Sequence, residues 1–448
     1  MMQRSSSPVE TGKAALSLLA TVRPNLGKAL GLGLVGAMLI QGAEAIYSRS
    51  GSTTRPDAAA VKKEKDLLAA VAEHSKAIEQ DPTNPAAYFN RGCAFQDLGR
   101  HELAVLDYSK VIELDPEYTN AHYNRGCALQ DLKRFAAAVL DFTKAIELNP
   151  EFAMAYYNRG CANLALGKKE NEGRVGYDFT KTVSLTPKFA EGHLNLGCWY
   201  LSDDDPRSCQ HAKYYFDKAI ELQPRYTEAY FNRARAFTRL EKLHEAVSDY
   251  SKVISLDPKH AVAYFERGEA YEKLKLIDEA LANYSKCIEL NPTDVKLYTK
   301  RGETFEKLKR IDEALADYGK CIELRPTDVK ALKKRAFAAD AAEKYSEALK
   351  GWLKWSELEP ENYIVHYNLG RSLQKLKRFE EAVSALSIAI ELNPKDGDPY
   401  FLRGYCLGEL KRLVEAVADY NKCLELSDNS QARKNREIDL QEIAKKAK

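Results

Sequence analysis

A chain of 448 residues with 45% hydrophobic and 29% charged side chains carries enough apolar matter to bury cores, which excludes a chain disordered throughout. A net charge of +2 excludes the strongly basic domain of a nucleic-acid binder, because the first 57 residues alone hold six basic and three acidic groups and leave the rest about neutral. Nine cysteines and eight histidines, with no CxxC pair, HExxH or zinc-like spacing, point to no metal centre and to a reducing compartment.

Residues 1–28 read as a flexible, basic, Ser-containing N-terminus, with Ser5, Ser6 and Ser7 in a run. An apolar, Gly-rich segment follows at 29–47, flanked by Lys28 and Arg49. Its 19 residues are just long enough to cross a bilayer, and Gly27, Gly31 and Gly36 suit helix packing there, although Gln41 and Glu44 interrupt it. A membrane anchor, and with it a single membrane span, is the first expectation. A targeting segment cleaved near Ala43-Glu44-Ala45 is the second, and a disordered or interfacial tail the third. Residues 48–62 form a linker, and 63–82 a lone helix.

From there the chain repeats. Pro82, Pro116, Pro150, Pro187, Pro224, Pro258, Pro292, Pro326, Pro360 and Pro394 are spaced by 34, 34, 37 and 37 residues and then five times by 34. Aligned on them, residues 85–428 give ten units, beginning at Pro85, Thr119, Ala153, Ala190, Thr227, Ala261, Val295, Val329, Tyr363 and Gly397. Counting places from each first residue, an aromatic or His stands at place 4 (Tyr88, His122, Tyr156), Gly or Ala at place 8 (Gly92, Gly126, Gly160, Ala234), Ala at place 20 (Ala104, Ala138, Ala246) and an aromatic at place 24 (Tyr108, Phe142, Tyr250). Small residues at 8 and 20 let two helices cross closely, large ones at 4 and 24 fill the space between neighbours, and the proline ends the second helix. The two three-residue extensions, at 168–173 and 202–208, fall in the turn between paired helices.

This grammar resembles the tetratricopeptide repeat, with Tyr for the family's usual Trp at place 4 and Arg for its usual Leu at place 7. The resemblance implies an all-α fold: an α-solenoid superhelix of about ten helix-turn-helix repeats, preceded by a single N-terminal apolar helix. The helix at 63–82 is then a half-repeat cap, and 429–448 a polar capping helix that Ser430 is placed to N-cap.

In this family places 2, 5, 6, 9 and 12 or 13 of the first helix face the groove. Place 6 reads Asn90, Asn124, Asn158, Asn195 and Asn232, then Glu266, Lys300, Lys334, Asn368 and Leu402. A carboxamide both donates and accepts, so a ladder of them is able to hydrogen-bond an extended backbone of any sequence. It is similar to the asparagine ladder in the repeat region of the O-linked N-acetylglucosamine transferases. Phe89, Tyr123, Tyr157 and Phe231 at place 5 supply rings beside the amides, either as anchors or as packing. Further on, Glu266, Glu269 and Glu272 stand against Lys296, Lys300, Lys330, Lys333 and Lys334; this charge step either orients a ligand or is spent internally, with Glu266 pairing to Lys300. The carboxylate clamp of chaperone-binding members needs Asn at place 9, and none stands there. Place 9 instead holds Cys93, Cys127, Cys161 and Cys198, expected to be structural rather than disulfide-forming, since neighbouring helices pack about 8–10 Å apart.

The expected function is a scaffold or receptor, tethered to a membrane, whose partners are extended segments of other proteins. No catalytic residue, cofactor, small-molecule substrate or nucleic acid is expected. An anchor followed by repeats is similar to the repeat-bearing import receptors of the mitochondrial outer membrane, which makes an organelle membrane the favoured location. An organelle interior or the cytoplasm is the alternative, reached by a soluble adaptor after cleavage or by an accessory subunit of a larger complex.

Overall fold

The computed structural model describes residues 58–167, 172–203 and 205–446; the apolar segment 29–47 and the cleavage-like Ala43-Glu44-Ala45 lie outside them. Among the described residues all regular structure is helical, in 22 helices, with no strand. They divide into two compact units, the first ending at Pro224 and the second starting at Arg225.

The N-terminal unit holds α1 (Ala58–Gln80), α2 (Pro85–Asp97), α3 (His101–Leu114), α4 (Thr119–Asp131), α5 (Phe135–Leu148), α6 (Ala153–Leu166), α7 (Glu172–Leu185), α8 (Ala190–Leu201) and α9 (Pro206–Leu222). The C-terminal unit continues with α10 (Thr227–Arg239), α11 (Leu243–Leu256), α12 (Ala261–Lys273), α13 (Ile277–Leu290), α14 (Val295–Lys307), α15 (Ile311–Leu324) and α16 (Val329–Ala341). It closes with α17 (Tyr345–Leu358), α18 (Tyr363–Lys375), α19 (Phe379–Leu392), α20 (Gly397–Glu409), α21 (Leu413–Leu426) and α22 (Ser430–Lys446).

Local chemistry sets the ends. The Asn84 carboxamide accepts from the amides of Ala86 and Ala87 at 3.0 and 3.4 Å, and Pro85 presets the first turn of α2. Asp205 with Pro206 starts α9 in the same way, and Asp294, Asp328, Asn362 and Asp396 cap α14, α16, α18 and α20. The second helices α3 to α19 end two residues before their prolines, and the residue between, as at Asp115, Asn149 and Asp257, turns extended.

Within a repeat the place-24 ring lies on the backbone of place 8. A Cβ on Gly126 would come within 2.7 Å of the Phe142 ring, and one on Gly92 within 2.8 Å of Tyr108. Ala104, Ala138 and Ala246 at place 20 are fully buried beside them. The core is therefore a succession of small clusters between neighbours, such as Val71, Ala94, Phe95, Ala104, Tyr108 and Ala128, as a nearest-neighbour repeat requires.

α1 packs as the second helix of a half-repeat: its Ser75 accepts from Arg91 at 3.2 Å, as Ser109 does from Arg125 at 3.1 Å. At the other end α22 covers the last repeat, with Ala432 buried against Tyr420 and Cys423. Its capping side chain is Asn429, not Ser430. The Asn429 carboxamide oxygen takes the amides of Gln431 and Ala432 at 3.1 and 2.9 Å, while Ser430 already lies inside the helix. Among the described residues no helix is long and apolar enough to cross a membrane.

Candidate protein-binding face

In the N-terminal unit the first helices α2, α4, α6 and α8 lie side by side and the second helices form the opposite face. The register between neighbours is read from place 6. Asn158 donates to the Tyr123 hydroxyl at 2.9 Å and to the Cys127 sulfur at 3.4 Å, both on the preceding repeat. Asn195 does the same to Tyr157 and Cys161 at 3.0 and 3.7 Å, and Asn124 reaches Cys93 at 3.6 Å. Place 6 of one repeat thus lies beside place 9 of the one before. The amide nitrogens are spent on this stitching, and the carboxamide oxygens of all three are left to accept. Asn90 is exposed at the start of the row. Asn232 belongs to the C-terminal unit and bonds the Glu228 carbonyl of its own helix at 2.9 Å.

The place-5 rings are half-buried: Phe89 lies 5.1 Å from Tyr118, Tyr123 4.6 Å from Phe152, Tyr157 5.0 Å from Phe189 and Phe231 5.0 Å from His260. They are packing and surface at once. None of the nine cysteines is in a disulfide. Burial pushes the Cys127 and Cys161 thiols up to about 11, so they stand neutral in the row as weak acceptors.

The charge step belongs to the C-terminal unit and is mostly spent internally. Lys300 pairs with Glu269 and Glu272, each at 3.0 Å, and not with Glu266. The reason is the offset already seen: place 6 faces places 9 and 12 of the preceding repeat, and Lys334 with Glu303 at 2.9 Å follows it. Although burial pushes Glu272 up, Lys307 and Lys300 hold it below the usual carboxylate range. Glu266, half-buried beside the Tyr250 hydroxyl at 3.5 Å, is pushed up by its partial burial. Lys333 lies 4.5 Å from the Trp355 ring, while Lys296 and Lys330 are exposed.

Sequence reasoning missed the partner of the place-7 arginine. Arg91, Arg125 and Arg159 each grip an Asp of their own second helix with both Nε and Nη2: Asp107, Asp141 and Asp178, all at 2.7–2.9 Å. A third nitrogen reaches back to Ser75, Ser109 or Thr143 of the preceding repeat. Arg233, Arg301 and Arg403 repeat the grip on Asp249, Asp317 and Asp419, and Arg267 bonds Asn283 at 3.0 Å. The signal lay in the sequence: where place 7 is Leu196 or Leu369, place 23 is Tyr215 or Ala385.

A second face is unpartnered. Leu106, Leu140, Tyr177 and Tyr214, all at place 22 on the second helices of the N-terminal unit, are 65%, 72%, 53% and 54% exposed. The C-terminal unit has Ser248, Ala282, Ala316, Lys350, Ser384 and Ala418 there.

Paired helices stacked repeat on repeat define a helical-repeat protein; among the described residues no group of side chains is arranged to hold a metal ion. Models of the tetratricopeptide repeat match residues 85–118, 119–152, 142–172, 261–294, 295–328, 328–396 and 367–430, and a TPR repeat model matches 234–275. These spans cover more than half of the chain, which belongs to the tetratricopeptide-repeat family, a family of protein-interaction scaffolds that are in general not enzymes. Among solved structures it is similar to YrrB, a TPR protein with an unusual peptide-binding site, at 26% identity over 42% of this chain and 94% of that one, TM-score 0.38. It is also similar to yeast Tom70, at 18% identity over 85% and 94%, TM-score 0.32. MamA from Desulfovibrio magneticus RS-1 aligns at 21% identity over 39% and 96%, TM-score 0.36. No curated protein matches the chain.

Proposed function

We propose that this chain is a membrane-tethered scaffold or receptor whose first-helix face binds extended segments of partner proteins. One observation carries the reading: in consecutive repeats the place-6 asparagines Asn124, Asn158 and Asn195 are fixed by the preceding repeat, with their carboxamide oxygens uncommitted. Acceptors fixed at a repeat spacing are pre-organised for the amides of an extended chain, so little side-chain entropy is lost on binding. Asn90 and the rings Phe89, Tyr123 and Tyr157 extend the same surface, and Asn232, Phe231, Lys296, Lys300, Lys330 and Lys334 form its counterpart in the C-terminal unit. The tether is assigned to residues 29–47, with the mitochondrial outer membrane the favoured site.

Two measurements test this. Replacing Asn124, Asn158 and Asn195 together by Ala should weaken binding of an array-selected peptide at least about 10-fold, given roughly 0.5–1.5 kcal/mol per hydrogen bond; unchanged affinity would refute the backbone-binding face. Carbonate extraction of the full-length protein should leave it in the membrane pellet with an intact N-terminus, whereas a soluble chain starting near Ile46 would replace the tether by a cleaved address.

The exposed row Leu106, Leu140, Tyr177 and Tyr214 favours a second reading, an accessory subunit held in a larger complex by its second-helix face.

A further inference from the structure

We infer that the partner segment bound by the N-terminal unit is basic: an extended stretch bearing Lys and Arg side chains. This rests on the first-helix face being a binding face, and adds the chemistry of what binds.

The first argument is a count of cations. α2, α4, α6 and α8 carry three Lys or Arg between them, Arg91, Arg125 and Arg159, and each is locked on its own aspartate, with Asp107 and Asp141 7% and Asp178 0% exposed at the side chain. No Lys or Arg of these helices is left to meet an acidic ligand. Their acids are different. Asp97, Asp131 and Glu191 are exposed, and Asp131 lies 3.4 Å from the His101 ring. Asp97 and Asp131 stand four residues beyond Cys93 and Cys127 on the same helices, which puts them on the same face, along the asparagine row.

The second argument is hydrogen-bond polarity. Asn124, Asn158 and Asn195 donate into the preceding repeat and turn oxygens outward. Gln130 adds an orphan. In repeat 1 Gln96 accepts from the Tyr108 hydroxyl at 2.9 Å, but repeat 2 has Phe142 in place of that tyrosine, and the Gln130 Oε1 is buried with no partner. Acceptors and carboxylates in one row ask for donors, and ammonium and guanidinium groups bring three and five each. The half-exposed faces of Phe89, Tyr123 and Tyr157 suit the same cations. The first helices of the C-terminal unit, rich in Lys and Arg as well as Glu, have no such bias.

The test uses the full-length chain and three fluorescent peptides of about 14 residues, alternating Arg–Ser, Gly–Ser and Glu–Ser, read by anisotropy. The Arg–Ser peptide should bind at least about 10-fold tighter than Gly–Ser, with Glu–Ser weakest. D97N/D131N should remove most of that preference, about 5- to 10-fold, and leave the circular dichroism spectrum unchanged. If Gly–Ser binds as tightly as Arg–Ser and is lost in N124A/N158A/N195A, the basic partner is overturned while the binding face stands. Stronger binding of Glu–Ser overturns it likewise. Arg–Ser binding unaffected by either set of substitutions would place the peptide elsewhere and overturn both.

Discussion

Asp178 has no exposed side-chain surface and Arg159 keeps 7% of its own, so the grip between them operates at low dielectric with little screening. Removing one partner strands a buried charge. Asp178→Ala should cost about 3–5 kcal/mol, read as a fall in the urea midpoint of the N-terminal unit, whereas Arg159→Leu with Asp178→Ala should recover part of that loss, because no charge is left stranded although the smaller pair leaves some space unfilled. The chain already writes that solution in repeat 9, where Leu369 faces Ala385. If single and double variants were equally destabilised, the grip would have no independent role. The thiols give a second residue-scale prediction. With burial favouring the neutral form and the thiol values of Cys127 and Cys161 at about 11, alkylation at pH 8 should run about 100-fold slower than at an ordinary thiol, and accelerate only as the pH climbs towards 11. Mass-spectrometric alkylation of native and urea-unfolded chain reads the ratio directly. At this scale the sequence disclosed the packing places 8, 20 and 24 and the place-6 row, since those rest on size and repetition. It hid Asp107, Asp141 and Asp178, because an acid between two apolar places of an amphipathic helix looks like solvent surface until the facing helix is in position.

At the scale of the element, the repeated device is the turn between paired helices. The first helix ends with place 15 in the left-handed region: Gly99 and Gly167, but also Lys133, Glu241, Lys275, Lys309, Glu343, Lys377 and Lys411, with φ of 56–62°. The amide of Arg134 reaches back to the Leu129 carbonyl at 2.8 Å and that of Lys133 to Gln130 at 2.8 Å, which satisfies two of the last carbonyls of α4 and requires that backbone. A residue with a Cβ costs roughly 1–2 kcal/mol there, and glycine's extra unfolded entropy returns part of it. Lys275→Gly and Lys309→Gly should therefore each stabilise the C-terminal unit by about 0.5–1 kcal/mol in urea unfolding, while Gly167→Ala should destabilise the N-terminal unit by a similar amount. Opposite signs would mean that the lysine side chains contribute more than the backbone costs. The glycines made this turn legible in repeats 1 and 3; in the others nothing in a Lys or Glu announces φ above zero. The register of neighbouring first helices was equally silent, which is why the internal pairing of Lys300, one of the two readings of the charge step, was drawn to Glu266 and is found on Glu269 and Glu272.

For the whole molecule, ten repeats written in one grammar form two units that hold their repeats together by different physics. In the N-terminal unit, neighbouring first helices are joined by neutral contacts of Asn with Tyr and Cys. In the C-terminal unit place 6 makes ion pairs instead, Lys300 to Glu269 and Glu272 and Lys334 to Glu303, and place 9 adds one from Arg371, 36% exposed, to Asp340. Partly exposed pairs of this kind contribute up to about 1 kcal/mol each, and at 1 M salt the screening length falls to about 3 Å, comparable to the pairs themselves. Hydrogen exchange of the full-length chain, followed peptide by peptide, should therefore show protection in α12, α14, α16 and α18 falling about 3- to 10-fold between 0.05 and 1 M sodium chloride. Protection in α2, α4, α6 and α8 should hold or rise, because their cross-repeat contacts carry no net charge and their aspartate grips are buried. The bidentate Arg–Asp grips occur in both units and cancel in the comparison. An equal loss in both sets would mean that the exposed ion pairs add nothing beyond the grips. Greater loss in the N-terminal set would mean that its neutral row depends on the exposed Asp97 and Asp131, so that the carboxylates assigned to a basic partner also hold the repeats in register.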